Sequence, residues 1–276
     1  MANVQFTVGD ITLTRVGYVD VDVEPERVGL TADQVAAVPW AEPTWAGGTQ
    51  LRVGAAAWVI RSGDAVIVVD PAQAADDILR SAADAGAHQE AFAGVLAAAG
   101  VPRDDVTHAI ATHVEGIGMF AWRDPDGSWS PFFPNAALVV TQRELDALDA
   151  GAHPTAEHGP FDALRARGIV DAIAGDRPEV APGVSVEVAG GHTPGHAVVR
   201  VRSGGDSAVM VGHLAVSPLH LATGECPQQH PDPALVEATL TGLRASGALL
   251  IGPLWPAPGA GRWVDGGLIA EWGTAV

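Results

Sequence analysis

Apolar and polar residues alternate at period two over 4–8, 11–18, 55–61 and 65–70, the pattern of strands whose alternate side chains face a core. Ser62-Gly63-Asp64 supplies a hairpin turn between the last two stretches. Asp70-Pro71 then ends the strand, because proline has no N–H to give to a ladder. Over 74–84 and 88–99 the apolar residues change to helical spacing, and Gly100 with Pro102 closes the second helix. Val106 to Thr112 reads as a buried strand. The second half repeats the plan, with strands over 137–141, 184–189, 197–202, 207–212 and 249–251 and helices near 142–150, 160–167 and 233–246. Residues 19–50 form no clear element. Pro39-Trp40, Pro43-Thr44-Trp45 and Gly47-Gly48 predict an ordered loop there, whose tryptophans either roof a pocket or cover a sheet edge.

Composition narrows the function. The 276 residues carry 15 basic and 33 acidic side chains, a formal charge of −18, which repels phosphate backbones and anionic lipid surfaces. No nucleic-acid or membrane partner is expected, and a small neutral or weakly charged substrate fits better than a highly anionic one. Every basic residue is arginine, which excludes a Schiff-base lysine, a P-loop lysine and a Ser-Lys dyad. The single Cys226 excludes an internal disulfide framework and a cysteine-rich zinc module. The first residues lack a basic segment followed by an apolar core, and no apolar run reaches the length of a spanning helix. The expectation is one cytoplasmic domain over 1–276, with a homodimer as an open possibility.

Candidate chemistry lies where strands end. Residues 107–118 read Thr-His-Ala-Ile-Ala-Thr-His-Val-Glu-Gly-Ile-Gly, which puts His113 and Glu115 on one face of an extended segment. Gly-His-Thr-Pro-Gly-His at 191–196 and Val-Met-Val-Gly-His at 209–213 present further histidines at turns. Three imidazoles and a carboxylate are enough to hold one ion.

These pieces, in this order, resemble the metallo-β-lactamase superfamily, whose pattern is Thr-His-x-His-x-Asp-His, then Gly-His-Thr-Pro-Gly-His, then Gly-Asp, then a late histidine. The lactonase and organophosphate-hydrolase-like branch is the most similar, on Phe132-Phe133-Pro134-Asn135-Ala136 followed by Glu144, on Val211-Gly212-His213 with Pro218-Leu219, and on Pro253-Leu254-Trp255-Pro256-Ala257-Pro258. The resemblance spans about residues 50–265 and implies a four-layer αββα sandwich with ligands on the loops at one edge. It places His113, Glu115, His196 and His213 at one metal position, with a family histidine replaced by Glu115 and the family's bridging aspartate by His213. The positions exclusive to the second metal hold Ile117, Gly118 and Leu254, which cannot bind an ion. The resemblance therefore implies a single-metal site, with Asp70 supporting the ligand loops and His192 and His220 as candidate proton carriers. His108 is expected in or beside its strand, and His153, His158 and His230 on loops or the surface.

One divalent ion is the expected cofactor. Zinc would take three of the four ligands and keep one position open; iron, manganese, cobalt or nickel would accept all four and keep octahedral positions free. The leading expectation is metal-assisted hydrolysis of a neutral ester, lactone or similar acyl bond. A mononuclear oxygenase, lyase or isomerase is the alternative, and a ligand-binding protein without catalysis the third.

Overall fold

The computed structural model describes residues 3–71, 82–114, 120–152, 158–224 and 232–276. Two large twisted sheets stack face to face. The first orders its strands 170–173, 137–141, 108–110, 65–69, 50–62, 11–23, 4–8 and 274–275; the second runs 179–181, 184–188, 197–203, 206–210, 249–251, 260–264 and 267–270.

Period-two alternation decides which side chain enters which layer. In the first sheet Trp58, Ile60, Ile67, Val69, Ile110 and Val139 point inward and meet Val199, Val201, Ala208, Met210, Leu249 and Ile251 of the second. Their neighbours Val59, Val68, Leu138 and Val140 point outward and pack with Phe92, Leu96, Leu148, Phe161 and Leu164 from three helices, Ala82–Ala98, Gln142–Asp149 and His158–Ala166. On the far side Val198, Val209 and Leu250 pack with Val236, Leu240 and Leu243 of the helix Pro233–Ala245. The layers are therefore α, β, β, α, as expected, and His108 lies in its strand, His108–Ile110. Among the described residues no helix is long and apolar enough to cross a membrane.

The topology gathers the candidate loops at one edge. Strands Ala65–Val69 and His108–Ile110 are parallel, so Asp70 and His113 leave from the same end. Strands Asp206–Met210 and Leu249–Ile251 are also parallel, so His213 and Leu254 follow at matching ends of the second sheet. The turn 189–196 joins the antiparallel pair Val188↔Ala197. It is brought to the same edge by a bond between the sheets, in which the Ala197 N–H donates to the Thr112 carbonyl at 2.8 Å.

Several expectations are revised. Two strands, Ile11–Val23 and Gln50–Ser62, continue into the segment expected to be an ordered loop without a clear element, paired as far as Val23↔Leu51. Between them a short helix, Ala32–Ala36, starts with a reciprocal Thr31–Gln34 capping box. The tryptophans of this segment cover the outer face of the second sheet, with Trp45 edge-on to Trp255 at 5.9 Å and Trp40 edge-on to Trp263 at 5.9 Å. The helix expected over 74–84 lies outside the described residues as far as 81. One unbroken helix spans Ala82–Ala98, because alanine neighbours offset the cost of Gly86, about 1 kcal/mol.

Ile67 is fully buried between the sheets. Ile67→Ala is expected to destabilise the protein by about 2–5 kcal/mol through lost apolar burial and the cavity left behind, which a shift in the urea unfolding midpoint at constant slope would measure.

Candidate metal centre

Three imidazoles converge at this edge. His113, His192 and His213 each present a nitrogen, and the three nitrogens lie within 4.8 Å of one another. The ring centroids are 4.2 Å apart for His113–His213, 4.9 Å for His113–His192 and 5.4 Å for His192–His213. His113 and His192 are buried and His213 is partly so. Nitrogens around a tetrahedral zinc at about 2.0–2.1 Å stand roughly 3.3 Å apart, so small rotamer adjustments would seat one ion here. The donor set is of the kind that zinc, iron, nickel or copper accept.

Local sequence explains how each ring is delivered. Asp70 ends its strand with φ +38°, a left-handed conformation that aspartate tolerates. Its Oδ1 accepts the Thr112 N–H at 2.9 Å and its Oδ2 the Thr112 hydroxyl at 2.6 Å, and the Thr112 oxygen lies 3.1 Å from His113 Nδ1. Asp70 thus supports the His113 segment, as its position implied. Burial pushes its carboxyl up to about 6, opposed by the Thr112 hydrogen bonds and the nearby His192. Gly212, at φ +57°, turns the chain into His213; a Cβ there would collide with His196 and the Thr112 hydroxyl. A second carboxylate, the buried Glu144, accepts the Val114 N–H at 3.0 Å, the Gly195 N–H at 2.9 Å and the Thr193 hydroxyl at 2.8 Å.

The other histidines differ from the expected arrangement. His196 is completely buried beside the cluster, 5.6 Å from the His113 ring and 5.5 Å from the His192 ring, and its Nε2 accepts the His213 backbone N–H at 3.1 Å. The converging set thus contains His192, where His196 was expected. Glu115, Ile117 and Gly118 lie outside the described residues, as do His153 and His230. His158 opens a helix. His220 does not join the cluster. Its Nε2 lies 2.9 Å from the Val28 carbonyl, and its Nδ1 lies 3.0 Å from Ser217 N and 3.1 Å from Ser217 O. Leu254 has an aliphatic side chain, and its carbonyl accepts the Gly54 N–H at 2.8 Å. Sequence reasoning missed how Glu144 is used, although the Thr-x-x-Glu pattern at 141–144 marks it as the first turn of a helix.

No family model matches the sequence, and no curated protein is detectably similar to it. Solved structures are similar along the whole fold. A hydrolase of the beta-lactamase superfamily, AbOPH, superposes with a TM-score of 0.74 at 18% identity over 100% of this chain and 98% of that one. AidC, a dizinc quorum-quenching lactonase in complex with its product, superposes with a TM-score of 0.74 at 17% identity over 98% and 97%. A probable metal-dependent hydrolase from Staphylococcus aureus gives 0.68 at 15% over 90% and 91%. The fold is that of the metallo-β-lactamase superfamily. Its solved neighbours are lactonases and metal-dependent hydrolases, the branch that the motifs resemble.

Burial lowers the His220 imidazole to about 4 from an ordinary 6.5. A depressed histidine contributes stability that is present above the unfolded value and is lost as pH falls through the folded one. His220 should therefore contribute a decline in unfolding free energy between about pH 6.5 and 4, of up to roughly 3 kcal/mol, on which the raised Asp70 carboxyl superimposes the opposite trend in the same window. His220→Leu should flatten that decline in denaturant titrations at stepped pH.

Proposed function

We propose that the protein is a single-metal hydrolase of neutral esters, lactones or related acyl compounds. The observation that carries this reading is the convergence of the His113, His192 and His213 nitrogens within 4.8 Å, in a fold whose solved neighbours are metal-dependent hydrolases and lactonases. His113, His192 and His213 would hold the ion, with Glu115 close in sequence as a further donor. His196, its Nε2 already accepting the His213 N–H, would orient the His213 segment. His192 then acts as a ligand and not as a proton carrier, and His220 acts as a structural residue beneath the 25–28 turn.

One ion suits these residues better than two. A bridging carboxylate has two oxygens to share between metals, whereas a neutral imidazole at position 213 offers one lone pair in a fixed direction. Leu254 gives no donor on the far side, so that space is left for substrate. A bound divalent ion supplies Lewis acidity, polarising an acyl carbonyl and making water a nucleophile near neutral pH. The protein's own contribution is to fix three neutral imidazoles on loops anchored to the sheets, which holds the reacting groups in place. The formal charge of −18 disfavours anionic substrates.

The test is steady-state turnover of a panel of N-acyl homoserine lactones and aryl esters by zinc-, manganese- and iron-loaded protein, with product oxygen traced from labelled water. Ring opening or ester cleavage with label incorporation is expected, and His113→Ala should reduce kcat/KM by at least about 100-fold. Turnover that requires ferrous iron and dioxygen, or the absence of turnover on the whole panel with every metal, would contradict hydrolysis.

A further inference from the structure

Glu144 is almost completely buried and is not one of the converging imidazole donors, yet it joins the segments that carry two of them. It sits in the first turn of the helix Gln142–Asp149, where the Thr141 hydroxyl caps its N–H at 3.1 Å. The same Thr141 hydroxyl donates to the Gly195 carbonyl at 2.7 Å. On the carboxylate, Oε1 accepts the N–H of Val114, the residue after His113. Oε2 accepts the N–H of Gly195, and the Thr193 hydroxyl, next to His192, lies 2.8 Å from both oxygens. The approach is so close that a Cβ on Gly195 would fall onto the Glu144 backbone. The two segments come from different sheets and lie 30 and 51 positions from Glu144 in sequence.

We propose that Glu144 is a positioning residue for metal binding: it holds the His113 segment and the His192 turn at the separation at which both imidazoles reach one ion. The inference rests on the metal-site reading above. A carboxylate suits the task because it only accepts hydrogen bonds, and here two backbone N–H groups and a hydroxyl aim at it from two loops. Glutamine would turn its NH2 toward one of those backbone donors, leaving that N–H unsatisfied and pushing the two loops apart. Groups that orient metal ligands commonly change affinity by about 10–100-fold when altered.

The test is zinc affinity by competition with a chromophoric chelator, measured beside the apo-protein melting temperature and far-UV circular dichroism. Glu144→Gln is expected to weaken zinc binding by about 10–100-fold. Thr193→Val should weaken it by several-fold, and Thr193→Ser, which keeps the hydroxyl, should stay near wild type. A residue that serves only the fold would lower the melting temperature and leave zinc affinity unchanged; that result with one ion bound by the wild type overturns the positioning role and leaves the metal site standing. If Glu144→Gln does not fold, the Thr193→Val and Thr193→Ser pair decides, and equal affinities overturn the role. A wild-type protein that binds no zinc overturns both.

Discussion

The edge that carries the imidazoles depends on two carboxylates: the half-buried Asp70, which ties together two loops of the first sheet, and the buried Glu144, which joins loops from both sheets. Burying a carboxylate without partners is costly, and here each one is surrounded by donors that lie in the loops it must fix. Asp70 binds the backbone and hydroxyl of Thr112, the residue before His113. Glu144 binds the segment after His113 together with the turn that carries His192. For Glu144 the desolvation cost is offset by donors from both loops, so the carboxylate is satisfied only with the two loops side by side.

The sandwich makes this arrangement possible. Parallel pairing of Ala65–Val69 with His108–Ile110, and of Asp206–Met210 with Leu249–Ile251, sends the chain out of both sheets at matching ends. The apolar interior, from Trp58 and Ile67 to Met210 and Ile251, fixes the spacing of the sheets and with it the distance that the loops must span. Cross-sheet bonds at the rim, Ala197 N–H to Thr112 and Gly54 N–H to Leu254, both 2.8 Å, stop the edge from opening.

The layered fold was legible in the sequence because Ile67-Val68-Val69 and Leu138-Val139-Val140 lie in short, continuous apolar runs, the pattern of strands covered on both faces, and strand length and turn residues agree. The extension of Ile11–Val23 was not. Val19 and Val21 alternate with aspartates there yet are exposed, so burial gave no clue and only pairing with Gln50–Ser62 defines the strand. At the site, the resemblance put His196 among the ligands and His192 as a proton carrier, whereas the nitrogens that converge belong to His113, His192 and His213. His192 and His196 lie in one turn, and what separates them is a single backbone hydrogen bond, from His213 N–H to His196 Nε2. Glu144 entered the sequence reading only as one of the residues that carry the resemblance, because the partners it gathers come from distant segments.

The central claim is that one ion sits among His113, His192 and His213. Anomalous diffraction from crystals of metal-loaded protein, collected at the absorption edge of the bound element, tests it most directly. The account predicts one peak per chain within about 2.0–2.2 Å of a nitrogen from each of these three residues, with His196 still accepting the His213 N–H. Two peaks per chain, or one peak bound by His196 with His192 turned away, would contradict it.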